Sequence, residues 1–324
     1  MQFFDLIIVI PVGPACDPAF LKDTIESIQA YTTCRYQLII ADDSQKNTGA
    51  SMKAIFPDLD VIVTLKNLGK VAGLYSNLSR AYAFALEHYL FKVLLKMDDD
   101  ALMIGPEPEQ RALQLFAARP QIGMAGRHIT GQLSIDCYGN MHDNYWPRKQ
   151  LIKDTCTWKL IRRPIPNLLL RSYFFKALRN GYELGENIQG GAYFFSYQCL
   201  KTLQDAGLLP SANLGRVNLG EDLLFSLLVR AIGMELGDLS AHGEPIGCAW
   251  KGLPATPLQL HQDGRKIIHS IRFHGDLKEP DIRAYFQKVR TKGSRELLAD
   301  RYDPAATPTT HLLHLLCRFD ERAN

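Results

Sequence analysis

The chain has 324 residues, of which 46% are hydrophobic and 22% are charged. This balance is ordinary for a globular protein with an ample core, and it excludes a disordered or fibrous chain. The formal net charge of +3 is too small to argue for a nucleic-acid partner, so we expect none.

The cysteines and the hydropathy pattern bear on where the protein works. Seven cysteines are scattered without a Cys-x-x-Cys pair, which favours reduced thiols over a disulfide framework or a zinc site. No stretch approaches the roughly 20 apolar residues of a membrane span, and Leu6–Ile10 ends at Pro11 like a strand, not a signal peptide. We therefore expect a cytoplasmic protein. Its amphipathic stretch Thr310–Phe319 either docks on the core or gives peripheral contact with the inner face of the membrane. The oligomeric state is left open.

Short apolar runs alternate along the chain with segments of helical periodicity. The runs at 6–10, 37–41, 61–65 and 93–95 predict strands, and apolar spacing predicts helices after Asp17-Pro18 and over 70–89. Further along, the pattern predicts a helix at 109–118, a strand at 190–196 and helices at 200–206 and 223–232. This alternation predicts a doubly wound, mostly parallel α/β sheet of Rossmann-like type. In such sheets ligands bind beyond the carboxyl ends of the strands.

The stretch from 128 to 187 shows little periodicity, which is typical of a binding loop or lid. Between residues 148 and 180, nine basic residues stand against one acid, Asp154. The basic residues are Arg148, Lys149, Lys153, Lys159, Arg162, Arg163, Arg171, Lys176 and Arg179, and the aromatic residues beside them are Trp146, Trp158, Tyr173, Phe174 and Phe175. The default interpretation is a solvated basic face. The alternatives are a surface for an anionic acceptor, for a diphosphate or for a membrane.

Three consecutive carboxylates, Asp98, Asp99 and Asp100, follow the strand predicted at 93–95. Like charges at a strand end repel one another, and a hard divalent cation such as Mg²⁺ or Mn²⁺ relieves that repulsion. These ions commonly bridge protein carboxylates and substrate phosphates. The triplet therefore predicts a metal-assisted enzyme that acts on a phosphorylated donor, with a solvated turn as the alternative.

Two further acidic pairs fall at the ends of predicted elements. Asp42 and Asp43 end the second predicted strand and face the same crevice as the triplet. A carboxylate there accepts hydrogen bonds from a nucleotide base or ribose, or it caps the turn. Glu221 and Asp222 open a helix, where the helix dipole favours acids in any case. In the functional interpretation, this pair supplies a base that takes a proton from an acceptor hydroxyl.

Basic and imidazole side chains offer contacts for phosphate and metal. Lys70 lies with Asn67 in a glycine-containing turn that enters a helix, so it either meets phosphate or is an exposed lysine. The turn does not have the spacing of a P-loop. His261, His269 and His274 follow one another late in the chain. Each is a candidate to complete a metal site, against a surface or core role.

Together these motifs resemble the nucleotide-sugar-binding half of the family 2 glycosyltransferases, which have the GT-A fold. The motifs are Ile8–Pro11, Ile39–Ser44, Asn67–Lys70 with Asn77, and Leu94–Asp100. Lys96–Asp100, Gly190–Ser196 and Gly220–Asp222 also resemble the fringe and β-1,3-galactosyltransferase group. The resemblance covers residues 5–235. The chain departs from family 2 in reading Asp-Asp-Ser-Gln where Asp-Asp-Gly-Ser is usual.

The resemblance implies a metal-dependent transfer of a sugar from a nucleotide-sugar, most often a UDP-sugar, to a hydroxyl group of a glycan, glycolipid or protein. It places the donor against Pro11, Val12, Asp42, Asp43, Asn67, Lys70, Asp98 and Asp99, with Asp42 or Asp43 on the uridine. It assigns a Mn²⁺ or Mg²⁺ ion to Asp98 and Asp100 together with His269 or His274. Catalysis falls to the pair Glu221 and Asp222, with Asp222 as the base of an inverting displacement.

We therefore expect a GT-A domain at 1–250 and a C-terminal extension at 251–324 that packs on it. Within the domain, 1–105 is the nucleotide-sugar-binding half, and 106–250 is the acceptor half, which contains the irregular insert 128–187. Two alternatives remain. One is a sugar nucleotidyltransferase, which usually carries a loop rich in glycine and basic residues after its first strand, whereas Val12–Pro18 is poor in both. The other is a catalytically inactive, carbohydrate-binding GT-A scaffold.

Overall fold

The structure is a computed structural model that describes residues 1–64, 72–157 and 163–292. Its strands are β1 (Gln2–Val12), β2 (Tyr36–Asp42), β3 (Asp60–Val63), β4 (Tyr89–Met97), β5 (Leu102–Met103), β6 (Ile122–Ile129), β7 (Leu133–Ile135), β8 (Met141–Asp143), β9 (Asn187–Ser196), β10 (Glu235–Asp238), β11 (Ile246–Cys248), β12 (Ile267–His269), β13 (Phe273–His274) and β14 (Leu277–Lys278). Its helices are α1 (Pro18–Tyr31), α2 (Thr48–Ile55), α3 (Ala72–His88), α4 (Gln110–Ala118), α5 (Tyr145–Cys156), α6 (Pro164–Arg179), α7 (Tyr197–Asp205), α8 (Glu221–Ala231), α9 (Pro257–Gln262) and α10 (Glu279–Lys292).

A seven-stranded sheet forms the centre of the described structure, in the order β10-β6-β9-β4-β1-β2-β3. β9 runs antiparallel to its neighbours β4 and β6, and all the other pairings in the sheet are parallel. The predicted α/β fold with a mostly parallel sheet is therefore confirmed. The strands predicted in the first third of the chain correspond to β1, β2, β3 and β4.

The first strand shows why the sheet lies in the middle of the molecule. In β1, Ile7 and Val9 pack into one hydrophobic cluster, whereas Leu6, Ile8 and Ile10 pack into another. Side chains of a strand point alternately to its two faces. Both faces of β1 are therefore covered, which accounts for its unbroken apolar sequence.

The region 128–187 differs from its prediction as an irregular insert, because it contains two helices, α5 and α6, and the β7–β8 hairpin. Pro164 begins α6 at the first helical position, where proline costs no hydrogen bond. Pro166, Leu170, Phe174 and Ala177 give that helix a buried face. Large apolar residues also occupy its exposed face, and they obscure the helical period in the sequence.

The last described elements return to the start of the chain. A small sheet joins β11, β12 and β5, so residues 267–269 lie beside the strand that follows the acidic triplet. α10 packs against α1, where the buried guanidinium of Arg283 pairs with Asp23 at 2.9 Å and lies over the ring of Phe20. In the described parts of the chain, no helix combines the length and the hydropathy of a transmembrane span.

Candidate functional site

The acidic triplet forms a turn at the carboxyl end of β4. The backbone N–H of Asp98 donates to the carbonyl of Gly191 on β9 at 2.7 Å. The carbonyl of Asp99 accepts from the hydroxyl of Thr24 on α1 and from the guanidinium of Arg283 on α10, both at 3.1 Å. Three separate elements therefore fix the backbone of this turn.

Two carboxylates of the turn meet an imidazole from β12. Nε2 of His269 lies 3.2 Å from Oδ1 of Asp100 and 3.6 Å from Oδ2 of Asp98. One ligand atom from each of the three residues falls within 4.8 Å of the others. We call Asp98, Asp100 and His269 the metal group, after the ion that they would hold. Carboxylate oxygens with an imidazole nitrogen suit Mn²⁺, and oxygen ligands suit Mg²⁺. This donor set therefore fits the cation that the sequence predicts.

The charges in this group depend on one another. Burial disfavours a charge on His269, but the carboxylates of Asp100 and Asp98 outweigh it and raise the pKa of the imidazole. Burial likewise opposes the ionisation of Asp100, yet His269 and Arg272 hold its pKa well below the usual range. Burial raises the pKa of Asp99 to about 6, with Asp98 and Asp100 adding to the effect. Asp100 and His269 thus each favour the charged form of the other, at the place where a cation would bind.

A glycine opposite His269 makes room for the imidazole. Gly191 has a φ of +101°, and a Cβ built on it would lie 2.2 Å from Nδ1 of His269. Any other residue would displace the ring. Nδ1 itself is buried and has no hydrogen-bond partner among the described residues. The second glycine of the Gly190-Gly191 pair is therefore needed for the position of a candidate metal ligand.

Arg272 is a cation beside this group that was not among the site residues predicted from the sequence. Its Nε lies 2.7 Å from Oδ2 of Asp100, although 69% of its side chain is exposed. The hydroxyl of Ser270 donates to the same carboxylate oxygen at 2.9 Å. An exposed guanidinium next to a metal group can reach a substrate phosphate. In the sequence, the one indication of a role for Arg272 is that it lies three residues after His269.

Lys96 connects the acidic turn to the start of α8. Its ammonium is fully buried, 2.7 Å from Oδ1 of Asp98 and 3.2 Å from Oε1 of Glu221. Burial opposes the charge, but Asp98 and Glu221 together raise the pKa of Lys96. Burial raises the pKa of Glu221, and Lys96 acts against that effect. In the sequence Lys96 is recognisable only as part of a motif, and nothing there indicates this bridge.

Asp222 lies next to the glycine pair that borders the metal group. Its Oδ2 accepts from the backbone N–H of Gly190 at 3.0 Å, and its Oδ1 accepts from the N–H of Leu223 at 2.8 Å. Gly190 and Gly191 are adjacent in β9, so the strand contacts Asp222 at one residue and His269 at the next. The predicted base and one candidate metal ligand therefore border neighbouring residues of β9.

A cavity of about 740 Å³ opens beyond the carboxyl ends of β1, β2 and β4. Its lining includes Pro11, Val12, Asp43, Asp98, Asp99, Asp100 and Arg272. Most of the predicted donor-binding residues in the described structure therefore share one cavity with Asp100, whereas His269 is not among the lining residues. Asp222 is not among the lining residues.

The other predicted site residues lie elsewhere. Asp42 is buried, and its two oxygens accept from the backbone N–H groups of Ser44 and Gly49 at 2.8 and 2.7 Å. This arrangement corresponds to the alternative in which Asp42 caps the turn. Nδ1 of His274 lies 3.1 Å from the carbonyl of Leu253, and this imidazole is not part of the metal group. Asn67 and Lys70 fall outside the described residues.

The chain has distant likenesses among solved structures. One is a glycosyltransferase involved in the glycosylation of the major capsid of PBCV-1 (10% identity, TM-score 0.41, covering 88% of this chain and 100% of that chain). Another is the WbbM bifunctional glycosyltransferase (12% identity, TM-score 0.45), of which the chain spans 51% while 91% of this chain is covered. A third is glucosyl-3-phosphoglycerate synthase from Mycobacterium tuberculosis in complex with Mn²⁺, UDP and glucosyl-3-phosphoglycerate (17% identity, TM-score 0.37, covering 74% of this chain and 71% of that chain). No family model and no curated protein sequence matches the chain. With identities this low, the likenesses carry no argument about function, which rests on the site.

Proposed function

We propose that the chain is a metal-dependent glycosyltransferase with the GT-A fold, which transfers a sugar from a nucleotide-sugar to a hydroxyl acceptor. The observation that carries the proposal is that His269 lies beside Asp98 and Asp100, two carboxylates that line the cavity beyond β1, β2 and β4. Parallel α/β sheets bind their ligands at that edge. The volume of about 740 Å³ falls within the range of roughly 300–1,000 Å³ for ligand pockets.

The donor is a UDP-sugar, the class that the sequence motifs imply. Asp43 lines the end of the cavity nearest β2 and would accept hydrogen bonds from the uracil or the ribose. Asp98, Asp100 and His269 would hold the Mn²⁺ or Mg²⁺ ion. Arg272 lines the same cavity, and its guanidinium would contact the diphosphate.

Asp222 is the proposed base. Its carboxylate takes the proton from the acceptor hydroxyl while that oxygen forms a bond to the anomeric carbon of the sugar. The bond from this carbon to the diphosphate oxygen breaks, and the nucleoside diphosphate leaves with its electron pair. The N–H groups of Gly190 and Leu223 orient the carboxylate. A bound divalent cation supplies positive charge to the departing diphosphate, and Arg272 adds a second cation.

A panel of nucleotide-sugars tests the donor assignment. We expect UDP-sugars to raise the melting temperature only when Mn²⁺ or Mg²⁺ is present, and we expect slow hydrolysis of the preferred donor. Asp100→Asn should abolish both effects, whereas Asp58→Asn, at an exposed position outside the site, should keep them. Metal-independent donor binding would contradict the proposal. Release of pyrophosphate from a nucleoside triphosphate and a sugar phosphate would instead identify a nucleotidyltransferase.

Asp222→Asn tests the base. We expect donor binding and metal-dependent stabilisation to persist while transfer falls about 10²–10⁴-fold, the usual contribution of a general base. Asp281→Asn is the matched control, because it removes another acid from a first helical turn, that of α10. Transfer by Asp222→Asn at the unsubstituted rate would eliminate the base assignment and leave the donor assignment intact.

A further inference from the structure

The exposed face of α6 carries large apolar side chains. Ile165, Leu168, Phe175 and Leu178 are 65%, 55%, 40% and 38% exposed. Their positions repeat at spacings of three and seven residues, so they share one face of the helix. None of the described elements covers this face. Clustered exposed apolar residues of this size mark interaction surfaces.

The same face of α6 is basic. Arg171, Lys176 and Arg179 are exposed among the apolar residues. The guanidinium of Arg171 lies 5.4 Å from the ring centroid of Phe175. The single acid of α5 and α6, Asp154, is buried. The exposed charges of the two helices are therefore all positive.

The preceding elements have the same character. α5 packs against α6 and exposes Tyr145, Trp146 and Ile152, with the ammonium of Lys149 over both aromatic rings. The β7–β8 hairpin, which leads directly into α5, exposes Leu133, Ile135 and Met141. We call the exposed residues of α5 and α6 the α5–α6 surface.

We propose that the α5–α6 surface binds a lipid bilayer that carries anionic headgroups. Helices that lie in a membrane interface combine an apolar face with Lys and Arg beside it. The apolar side chains enter the boundary of the acyl chains, and the basic side chains reach the headgroup phosphates. Tryptophan and tyrosine such as Trp146 and Tyr145 favour the interface. The surface has this composition on two neighbouring helices.

Other occupants match the surface less well. A soluble polyanion needs the positive charges but gains nothing from the exposed isoleucine, leucine and phenylalanine. A second copy of the chain in a two-fold dimer would bring one basic face against another, and like charges repel. Of these three occupants, the anionic bilayer is the one that complements both the charge and the apolar residues.

Flotation with vesicles tests the proposal. We expect the full chain to float with phosphatidylcholine vesicles that contain phosphatidylserine and to stay behind with phosphatidylcholine alone. Neutralising two charges in Arg171→Gln/Lys176→Gln should weaken binding about thirtyfold. Leu168→Ser/Phe175→Ser should weaken it by at least about tenfold. The matched control is Lys53→Gln/Ile55→Ser on α2, which changes an exposed lysine and an exposed isoleucine elsewhere and should bind as the unsubstituted chain does.

Three outcomes would overturn the proposal, provided circular dichroism shows that each variant is folded. The first is no flotation with anionic vesicles, as expected if residues 293–324 cover this face. The second is tight binding to heparin together with vesicle binding that Leu168→Ser/Phe175→Ser leaves unchanged, which would make the surface a polyanion site. The third is a dimer in sedimentation that the same variant dissociates. None of these outcomes depends on the glycosyltransferase proposal, because no donor or metal is present.

Discussion

Replacing Lys96 by methionine tests the bridge between the metal group and α8. The substitution preserves volume but leaves the half-buried carboxylate of Asp98 and the buried carboxylate of Glu221 without their shared ammonium, which lies at 2.7 and 3.2 Å. Removing one partner of a buried ion pair costs about 3–5 kcal/mol. For a chain of 324 residues that corresponds to a fall of about 4–7 °C in melting temperature.

The effect of pH supplies a second readout. Burial raises the pKa of Glu221 above its usual value, so the folded state keeps this proton longer than the unfolded state. Stability therefore falls as pH rises from the unfolded pKa of Glu221 to its raised folded pKa. Lys96 opposes the raised pKa, so its loss extends that window upwards. The difference between Lys96→Met and the unsubstituted chain should be larger at about pH 8 than at about pH 6.

Chemical denaturation with EDTA present measures both effects. Lys92→Met is the matched control, because Lys92 lies on the same strand and pairs with Asp5 at 2.6 Å, but its side chain is 53% exposed. An exposed pair contributes at most about 1 kcal/mol. Lys96→Met/Glu221→Gln should recover part of the lost stability through the coupling of the two sites. If Lys96→Met unfolds no more easily than Lys92→Met at either pH, the bridge is not the stabilising contact that we infer.

Two further predictions concern the metal group. Gly191→Ala should cost more than about 2 kcal/mol and abolish stabilisation by Mn²⁺, since its Cβ would displace His269. The control is Gly139→Ala, at a positive φ with no atom within 4 Å of the added Cβ, and it should show only the backbone cost of about 1 kcal/mol. Equal losses of stability in the two variants would refute the steric argument. The pKa of His269 is raised, because the carboxylates of Asp100 and Asp98 outweigh the opposite effect of burial. Mn²⁺ must therefore displace a proton from this imidazole, so the affinity for Mn²⁺, measured by calorimetry, should rise from about pH 6 to about pH 8. An affinity independent of pH would be evidence against His269 as a ligand.

The sheet was predictable because its central strands are buried on both faces. β1, β2 and β4 appear in the sequence as short unbroken apolar runs, and each run can be assigned without knowledge of its neighbours. Parallel strands end at a common edge, so the position of Asp43 in the same cavity as the acidic triplet also followed from the sequence. α6 was missed because its apolar residues lie on the buried face and on the exposed face alike.

The remainder of the site depends on contacts between distant parts of the chain. His269 reaches the triplet because β12 pairs with β5, and neither strand is longer than three residues. Runs that short give no periodicity from which to predict a partner. Lys96 is a charged residue within an apolar strand, and its ion pairs with Asp98 and with the distant Glu221 account for its burial. The sequence therefore supplied several candidate ligands but could not select among the histidines.

The hydrogen bonds that Thr24 and Arg283 donate to the carbonyl of Asp99 have a consequence for synthesis on the ribosome. The first of these donors emerges early, and the second emerges after most of the described chain. When every strand of the central sheet has been synthesised, the turn that contains Asp99 still lacks its hydrogen bond from Arg283. The proposed metal site is therefore among the last parts of a newly made molecule to be completed.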